Sequence, residues 1–195
     1  MLDLAALRRM LAQRRTPPAE GAGLRRAAVL VPLTSGAAGP AVVLVRRSAA
    51  LPLHGGEIAF HGGTWEATDA DLLATALREA EEEIGLRRAD VEVLGALSDT
   101  VTATSRFCIR PFVAWVPPGT AFASDPAEVE AILPVPLALL REPANFREEW
   151  WEREGRTFPV YFYQAGGEGI WGATARILRE LLGLLRTRKA FWMTA

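Results

Sequence analysis

The sequence predicts an α/β sandwich, and three observations carry that expectation. The uncharged run from Ala27 to Val45 is cut by Pro32, Gly36, Gly39 and Pro40 into short β-branched segments around a turn. Three later runs, VEVLGAL (Val91 to Leu97), CIRPFVAWV (Cys108 to Val116) and TFPVYFYQ (Thr157 to Gln164), are apolar in the manner of buried strands. Two segments, Asp71 to Ile84 and Ile170 to Leu185, carry apolar residues at helical spacing.

In chain order, MLDLAALRRMLAQRR has apolar residues at helical spacing interrupted by Arg, and no apolar h-region with a small-residue cleavage site. It reads as an amphipathic helix, so residues 1–22 are expected to be a helical extension. Residues 23–195 are expected to be a single domain that ends in a C-terminal helix. An uncharged run as long as 27–45 raises the question of a membrane span. Its four breakers answer it as a strand pair instead. Pro117, Pro118 and Gly119 mark a surface loop. The C-terminal LLGLLRTRKAFWM is expected to pack on the domain or across a homodimer, with a membrane-surface or partner-binding role as the lesser reading.

Charge narrows the function classes. The chain has 22 basic and 23 acidic residues and a formal net charge of -1, so it lacks the basic field that drives nucleic-acid binding. Lys189 is its only lysine, and the remaining basic residues are Arg, which suits bidentate contact with phosphate but also follows from a biased genome. Cys108 is the one cysteine, which excludes an intramolecular disulfide and fits a reducing cytoplasm.

Against that neutral background, Glu79, Glu81, Glu82 and Glu83 crowd one short stretch. At about 3.6 residues per turn, Glu79, Glu82 and Glu83 share one helix face, while Leu73, Ala76, Leu77, Ala80 and Ile84 fall largely on the other. Like charges at that spacing cost roughly 0.2 to 0.5 kcal/mol per pair. Arg78 reaches Glu82 at i+4, which leaves most of the repulsion standing. A solvated face is the plain reading of such a run. The context points elsewhere, because Gly62-Gly63 precedes the helix and Gly85-Leu86 follows it. Carboxylate and carbonyl oxygens are the hard donors that Mg²⁺ takes together with substrate phosphates. The three carboxylates are therefore expected to aim at one point.

Gly63, Arg78, Glu79, Ala80, Glu82, Glu83, Gly85 and Leu86 resemble the Nudix box, G-x5-E-x7-R-E-U-x-E-E-x-G-U. The stretch from Gly63 to Arg78 is one residue longer than that pattern, with Asp69 near the place of its leading Glu. Ala80 stands where a larger aliphatic residue is usual. Upstream, LVRRSAALPLHGGEIAFHGG (Leu44 to Gly63) resembles the extended motif of coenzyme A pyrophosphatases within the Nudix superfamily, through Arg47, Ser48, Leu51, His54, Gly56, Ala59, Phe60, Gly62 and Gly63. PFVAWV and IWGATARILRELL also look like that subfamily.

The resemblance implies a Nudix-type α/β/α sandwich with a central mixed sheet and a loop-helix-loop box. It implies a Mg²⁺- or Mn²⁺-dependent hydrolase that splits a nucleoside diphosphate derivative, coenzyme A or an acyl-CoA, into 3′,5′-ADP and 4′-phosphopantetheine. NADH, ADP-ribose or a nucleoside triphosphate are the alternatives within the class. A Nudix-fold protein that binds a nucleotide without hydrolysing it is the alternative outside it. Carried over, Glu82, Glu83 and the Gly63 carbonyl would hold metal, Glu79 would be a ligand or the base for the attacking water, and Arg78 would orient the carboxylates.

Substrate-binding candidates are Arg46, Arg47, Ser48, His54, Glu57, His61 and Gly62. Of the two arginines, Arg47 is the better match to the motif. His54 either bonds substrate or orders its loop, and Glu57 is a candidate outer ligand. Asp99, Glu128, Glu130 and Glu168 are open candidates for a further metal-binding carboxylate. The aromatics of EWWEREGRTFPVYFY either stack on an adenine or pack as a strand edge. His61 stands where the family motif has proline. It is expected either to loosen the turn or to place a titratable group beside the phosphates.

Overall fold

A computed structural model describes residues 2–14, 23–102, 105–153 and 155–186. The chain opens with helix α1 (Leu4–Gln13), whose first turn is capped by the Asp3 carboxylate accepting from the Ala6 N–H. Strands β1 (Arg25–Gly36), β2 (Gly39–Arg47), β3 (Ile58–Ala59) and β4 (Gly62–Thr64) follow. Then come helix α2 (Leu72–Ile84) and strands β5 (Glu92–Ala96), β6 (Thr100–Val101), β7 (Phe107–Trp115) and β8 (Val129–Pro136). Helix α3 (Leu137–Arg141), strands β9 (Phe146–Arg153), β10 (Arg156–Ala165) and β11 (Glu168–Trp171), and helix α4 (Gly172–Arg186) complete it.

The strands form two sheets. The larger is mixed: β1 runs parallel to β7 and antiparallel to β2 and β4, with β3 and β8 on β2 and β5 and β6 on β7. The smaller is the antiparallel meander β9-β10-β11. Period-2 alternation sends the apolar residues of β1 to both faces of the large sheet. Val29, Val31 and Leu33 join a core with α1, α3, α4 and β10, while Ala28 and Leu30 join a second core with Ala76, Leu77, Ala80 and Ile84 of α2. Both faces of the sheet are thus covered, which makes the α/β/α sandwich that the sequence predicts. Ala76 and Ala80, each fully buried, allow α2 to lie close on β1; the small residue at position 80 is a packing feature.

Several boundaries differ from expectation. Pro32 does not interrupt β1. Leu30 donates to the His61 carbonyl, and Pro32, two residues on and facing the same side, falls where the neighbour of β1 changes from β4 to β2. A missing N–H costs little at that junction. Ile170 and Trp171 belong to β11, because β11 pairs with β10 before Gly172 opens the last helix. Strands β3, β4, β6, β8 and β11 are not among the strands the sequence predicts: β8 carries Pro134 and Pro136, and the others are two to four residues long. The extension beyond Arg14, and the C-terminal segment from Thr187 on, lie outside the described residues. Among the described residues, no helix is long and apolar enough to cross a membrane.

Candidate active site

Helix α2 is the spine of the site. The Asp71 carboxylate caps its start by accepting from the Ala74 N–H, and Gly85 ends it in the left-handed region at φ 66°. The strand before it makes a close approach: a Cβ on Gly63 would overlap the Glu79 carboxylate, and one on Gly62 would overlap the backbone of β1. The glycine pair is what lets β4 pass between β1 and α2.

Arg78 is saturated. Its guanidinium donates to Asp69 (3.0 and 3.2 Å), Glu79 (2.9 Å), Glu82 (3.0 Å) and the Thr64 carbonyl (3.4 Å). Asp69 also accepts from the Thr75 hydroxyl (2.9 Å) and the Glu66 N–H (3.1 Å). The Arg78 hydrogen bonds hold the Asp69 carboxyl down at about 2, and the same partners raise Arg78. Asp69 therefore belongs to a framework that orients Arg78, and Arg78 in turn orients Glu79 and Glu82.

Glu83 is the opposite case. It is 3% exposed, its Oε2 has no hydrogen-bond partner, and Arg47 lies 3.9 Å from its other oxygen. Burial pushes its carboxyl up to about 8, against the Arg47 charge and a hydrogen bond from the Gly62 backbone. Burial also raises Glu79, with Arg78 opposing and Glu82 and Glu128 assisting.

Three glutamates do not converge on one point as expected. Glu83 turns inward, Glu79 lies half-buried beside Gly63, and the Glu82 side chain is 59% exposed on the Arg78 side. Glu81 is solvated. Among the described residues, no three His, Cys, Asp or Glu side chains are grouped closely enough to hold a metal. Mg²⁺ ordinarily takes only one or two protein carboxylates and completes its shell with water and phosphate. An all-oxygen donor set with one buried, unpartnered carboxylate oxygen fits such an ion.

Adjacent arginines part company here. Val45 packs on the α2 side of β2, so Arg47, two residues on, reaches Glu83, whereas Arg46 points to the other face. Arg46 is held by Glu168 and by Glu130 at 3.0 Å, which raise its pKa. The guanidinium is thus paired with two carboxylates on the face away from Glu83. Asp99 is likewise committed, to Arg110 at 2.6 and 2.8 Å.

That leaves Glu128 of the four open carboxylates, and its charge bears on both Glu79 and Glu83. The loop before β8 brings it there. Ala123 and Asp125 donate to the Ile84 and Glu83 carbonyls at the end of α2, and Asp125 accepts from the Glu128 N–H. A bulge at Arg46/Arg47 then lets Glu130 reach Arg46 while Ser48 donates to the Glu128 carbonyl. No sequence signal separates Glu128 from Glu130 without that bulge.

The loop from Ser48 to Glu57 closes on itself. Gly56 donates to the Arg47 carbonyl, and Arg47 donates to that of Glu57. His54, at φ 58°, lies 3.0 Å from Glu57 through Nδ1, a contact that ties the loop together. His61 is corrected as a substrate contact. It is fully buried, with both ring nitrogens unpartnered, and burial lowers its pKa to about 3, so it is a neutral core residue.

A helix presenting glutamates to a glycine-paired strand, with an arginine framework on one side and a buried carboxylate on the other, is the arrangement of a metal-assisted hydrolase. Residues 24–153 match the NUDIX domain model, and the chain belongs to the Nudix hydrolase family. It is 40% identical over 157 residues to the uncharacterized Nudix hydrolase NudL of Photorhabdus laumondii, covering 80% of this chain and 83% of the relative. It is 36% identical to NudL of Salmonella paratyphi B, over 80% and 81%. A MutT/nudix family protein from Enterococcus faecalis shares the fold, with a TM-score of 0.55 at 14% identity, over 94% of this chain and 70% of that one. A Deinococcus radiodurans protein does so with a TM-score of 0.52 at 18% identity, over 85% and 88%. Nudix hydrolases use divalent metal ions such as Mg²⁺ or Mn²⁺ and act on small nucleotide-derived substrates.

Proposed function

We propose that this chain hydrolyses the diphosphate bond of coenzyme A or an acyl-CoA, releasing 3′,5′-ADP and 4′-phosphopantetheine. The observation that carries the chemistry is the Glu83 carboxylate, buried beside Arg47 with an unpartnered oxygen. A buried anion of that kind is costly unless a cation joins it. Support for the substrate comes from the motif between Leu44 and Gly63, which folds as the closed loop next to Arg47 and Glu128.

In this reading Glu79, Glu82, Glu83 and the Gly63 carbonyl would hold Mg²⁺ or Mn²⁺ with no more than one or two carboxylates to each ion, water and phosphate completing its shell, and Glu128 would be the further carboxylate. The metal supplies Lewis-acid screening of charge that grows on the phosphate oxygens. Arg47 receives phosphate from the β2 side, backed by the Ser48 turn. Glu79, held against Gly63 and steered by Arg78, accepts the proton of the attacking water. Arg78 touches no substrate and acts by orienting Glu79 and Glu82.

Incubation with coenzyme A and Mn²⁺ is expected to yield 3′,5′-ADP. A panel with NADH, ADP-ribose and nucleoside triphosphates tests the substrate separately from the chemistry. Cleavage of one of those with coenzyme A untouched would overturn the substrate assignment. Tight nucleotide binding with no hydrolysis across the panel would overturn the enzyme reading of this site.

A further inference from the structure

The meander β9-β10-β11 is anchored at one end only. Arg179 of α4 lies 4.6 Å over the Phe146 ring and 4.8 Å over the Tyr161 ring, and pairs with Glu148 at 3.7 Å. From 150 to 157 every described residue is exposed, Trp150 at 65% and Trp151 at 42%. Among the described residues β9 is the last strand of its sheet, so its outer edge has no strand beside it.

From this edge we infer that β9 pairs antiparallel with β9 of a second copy, in a register centred on Trp151. In a two-fold pairing, opposed residues must share a sheet face, so only registers centred on a residue are allowed. Centred on Trp150, Arg147 meets Arg153 and Glu148 meets Glu152. Centred on Arg147, Glu148, Glu149, Glu152 or Arg153, the central charge meets itself. Centred on Trp151, the two Trp151 rings meet, Glu149 faces Arg153 on both sides, and Trp150 faces Glu152. Among the five residues from Glu149 to Arg153, this register opposes no two like charges, and cross-strand pairs of this kind are what stabilise sheets.

The side chains are already placed for it. Trp151 Nε1 donates to Glu149 at 2.8 Å, Arg147 also holds Glu149 at 3.1 Å, and the Trp151 ring leans on Phe162 (6.1 Å) and Trp171 (6.4 Å). The dimer joins two three-stranded meanders into one six-stranded sheet, away from the α2 glutamates. With five opposed residues per strand, the interface is at the small end for specific complexes, so the dimer is concentration-dependent.

Sedimentation velocity of the full chain over a concentration series tests this. The unaltered protein is expected to shift from monomer to dimer, and Glu149→Arg and Arg153→Glu are each expected to hold it monomeric while the melting temperature shows the fold intact. The double variant E149R/R153E restores both pairs with the signs exchanged and is expected to dimerise again. A monomer at every concentration, a dimer indifferent to either single reversal, or a double variant that stays monomeric overturns the inference.

Discussion

The two ends of one carboxylate row on α2 differ in what they lack. Around Arg78, Asp69, Glu79, Glu82 and Thr64 satisfy every guanidinium direction, and Asp69 has further donors in Thr75 and Glu66. Around Glu83, one helical turn on from Glu79, the carboxylate is buried with an open oxygen, while its other contacts are the Arg47 guanidinium at 3.9 Å and the Gly62 backbone. A satisfied network builds a frame, whereas an unsatisfied buried charge stores a demand for a cation. The difference separates two glutamates held by Arg78 from one left with an unpartnered oxygen.

Glu83→Gln should break the working end. Turnover with saturating Mn²⁺ is expected to fall roughly a thousandfold, the several kcal/mol that metal charge supplies. Unchanged turnover would remove Glu83 from the site. Arg78→Ala should break the frame instead, costing about 3 kcal/mol in denaturant unfolding because Asp69 is left buried without its partner. A loss under about 1 kcal/mol would mean that Asp69 is held by Thr75 and Glu66 alone.

The pH dependence separates the two ends, because their shifts have opposite signs. Asp69 is depressed, so its contribution is present above the usual carboxylate range and is lost as pH falls from 3.8 towards about 2. Glu83 is raised, so its contribution is full below 4.5 and is lost as pH rises towards about 8. The metal-free protein should therefore lose melting temperature between pH 5 and 8, by the equivalent of up to about 4 kcal/mol. Mn²⁺ should flatten that slope by taking the ionised form, and Glu83→Gln should reduce it to the part that Glu79, also raised by burial, contributes. A flat profile in the unaltered metal-free protein would count against the buried carboxylate.

Glu82→Gln is expected to keep the fold within about 0.5 kcal/mol, since it relieves repulsion on an exposed turn. Turnover should nevertheless drop roughly tenfold to a hundredfold; full activity would confine metal binding to Glu79 and Glu83. The smallest effect is at His61. Replacing it with Leu removes two unpartnered buried nitrogens and should stabilise by about 1 kcal/mol. A destabilised His61→Leu protein would show that the imidazole has a polar partner.

How much was legible follows from which residues act locally. The helix register placed the apolar stripe of α2, because 3.6-residue periodicity needs no tertiary partner, but it did not show that Glu83 turns into the core while Glu82 stays exposed. The glycine pair and the Gly85 stop were equally plain. Asp69 was noticed only as a misplaced box residue, and its bond to Arg78 spans a loop that no period describes. Glu128 was one of four equal candidates until the loop onto the end of α2 and the bulge in β2 were in view.

By itself, then, the sequence determined the alternation of strands and helices and the loop-helix-loop with its carboxylates and Arg78. Tertiary structure decided that Glu83 is buried while Glu82 is exposed, that Arg46 is committed to Glu130 and Glu168, and that His61 is a neutral core residue. The physical reason is range. Helix and strand periods arise between neighbours in the chain, but burial and ion pairing depend on which surface arrives from elsewhere, and that is set by sheet order and one bulge.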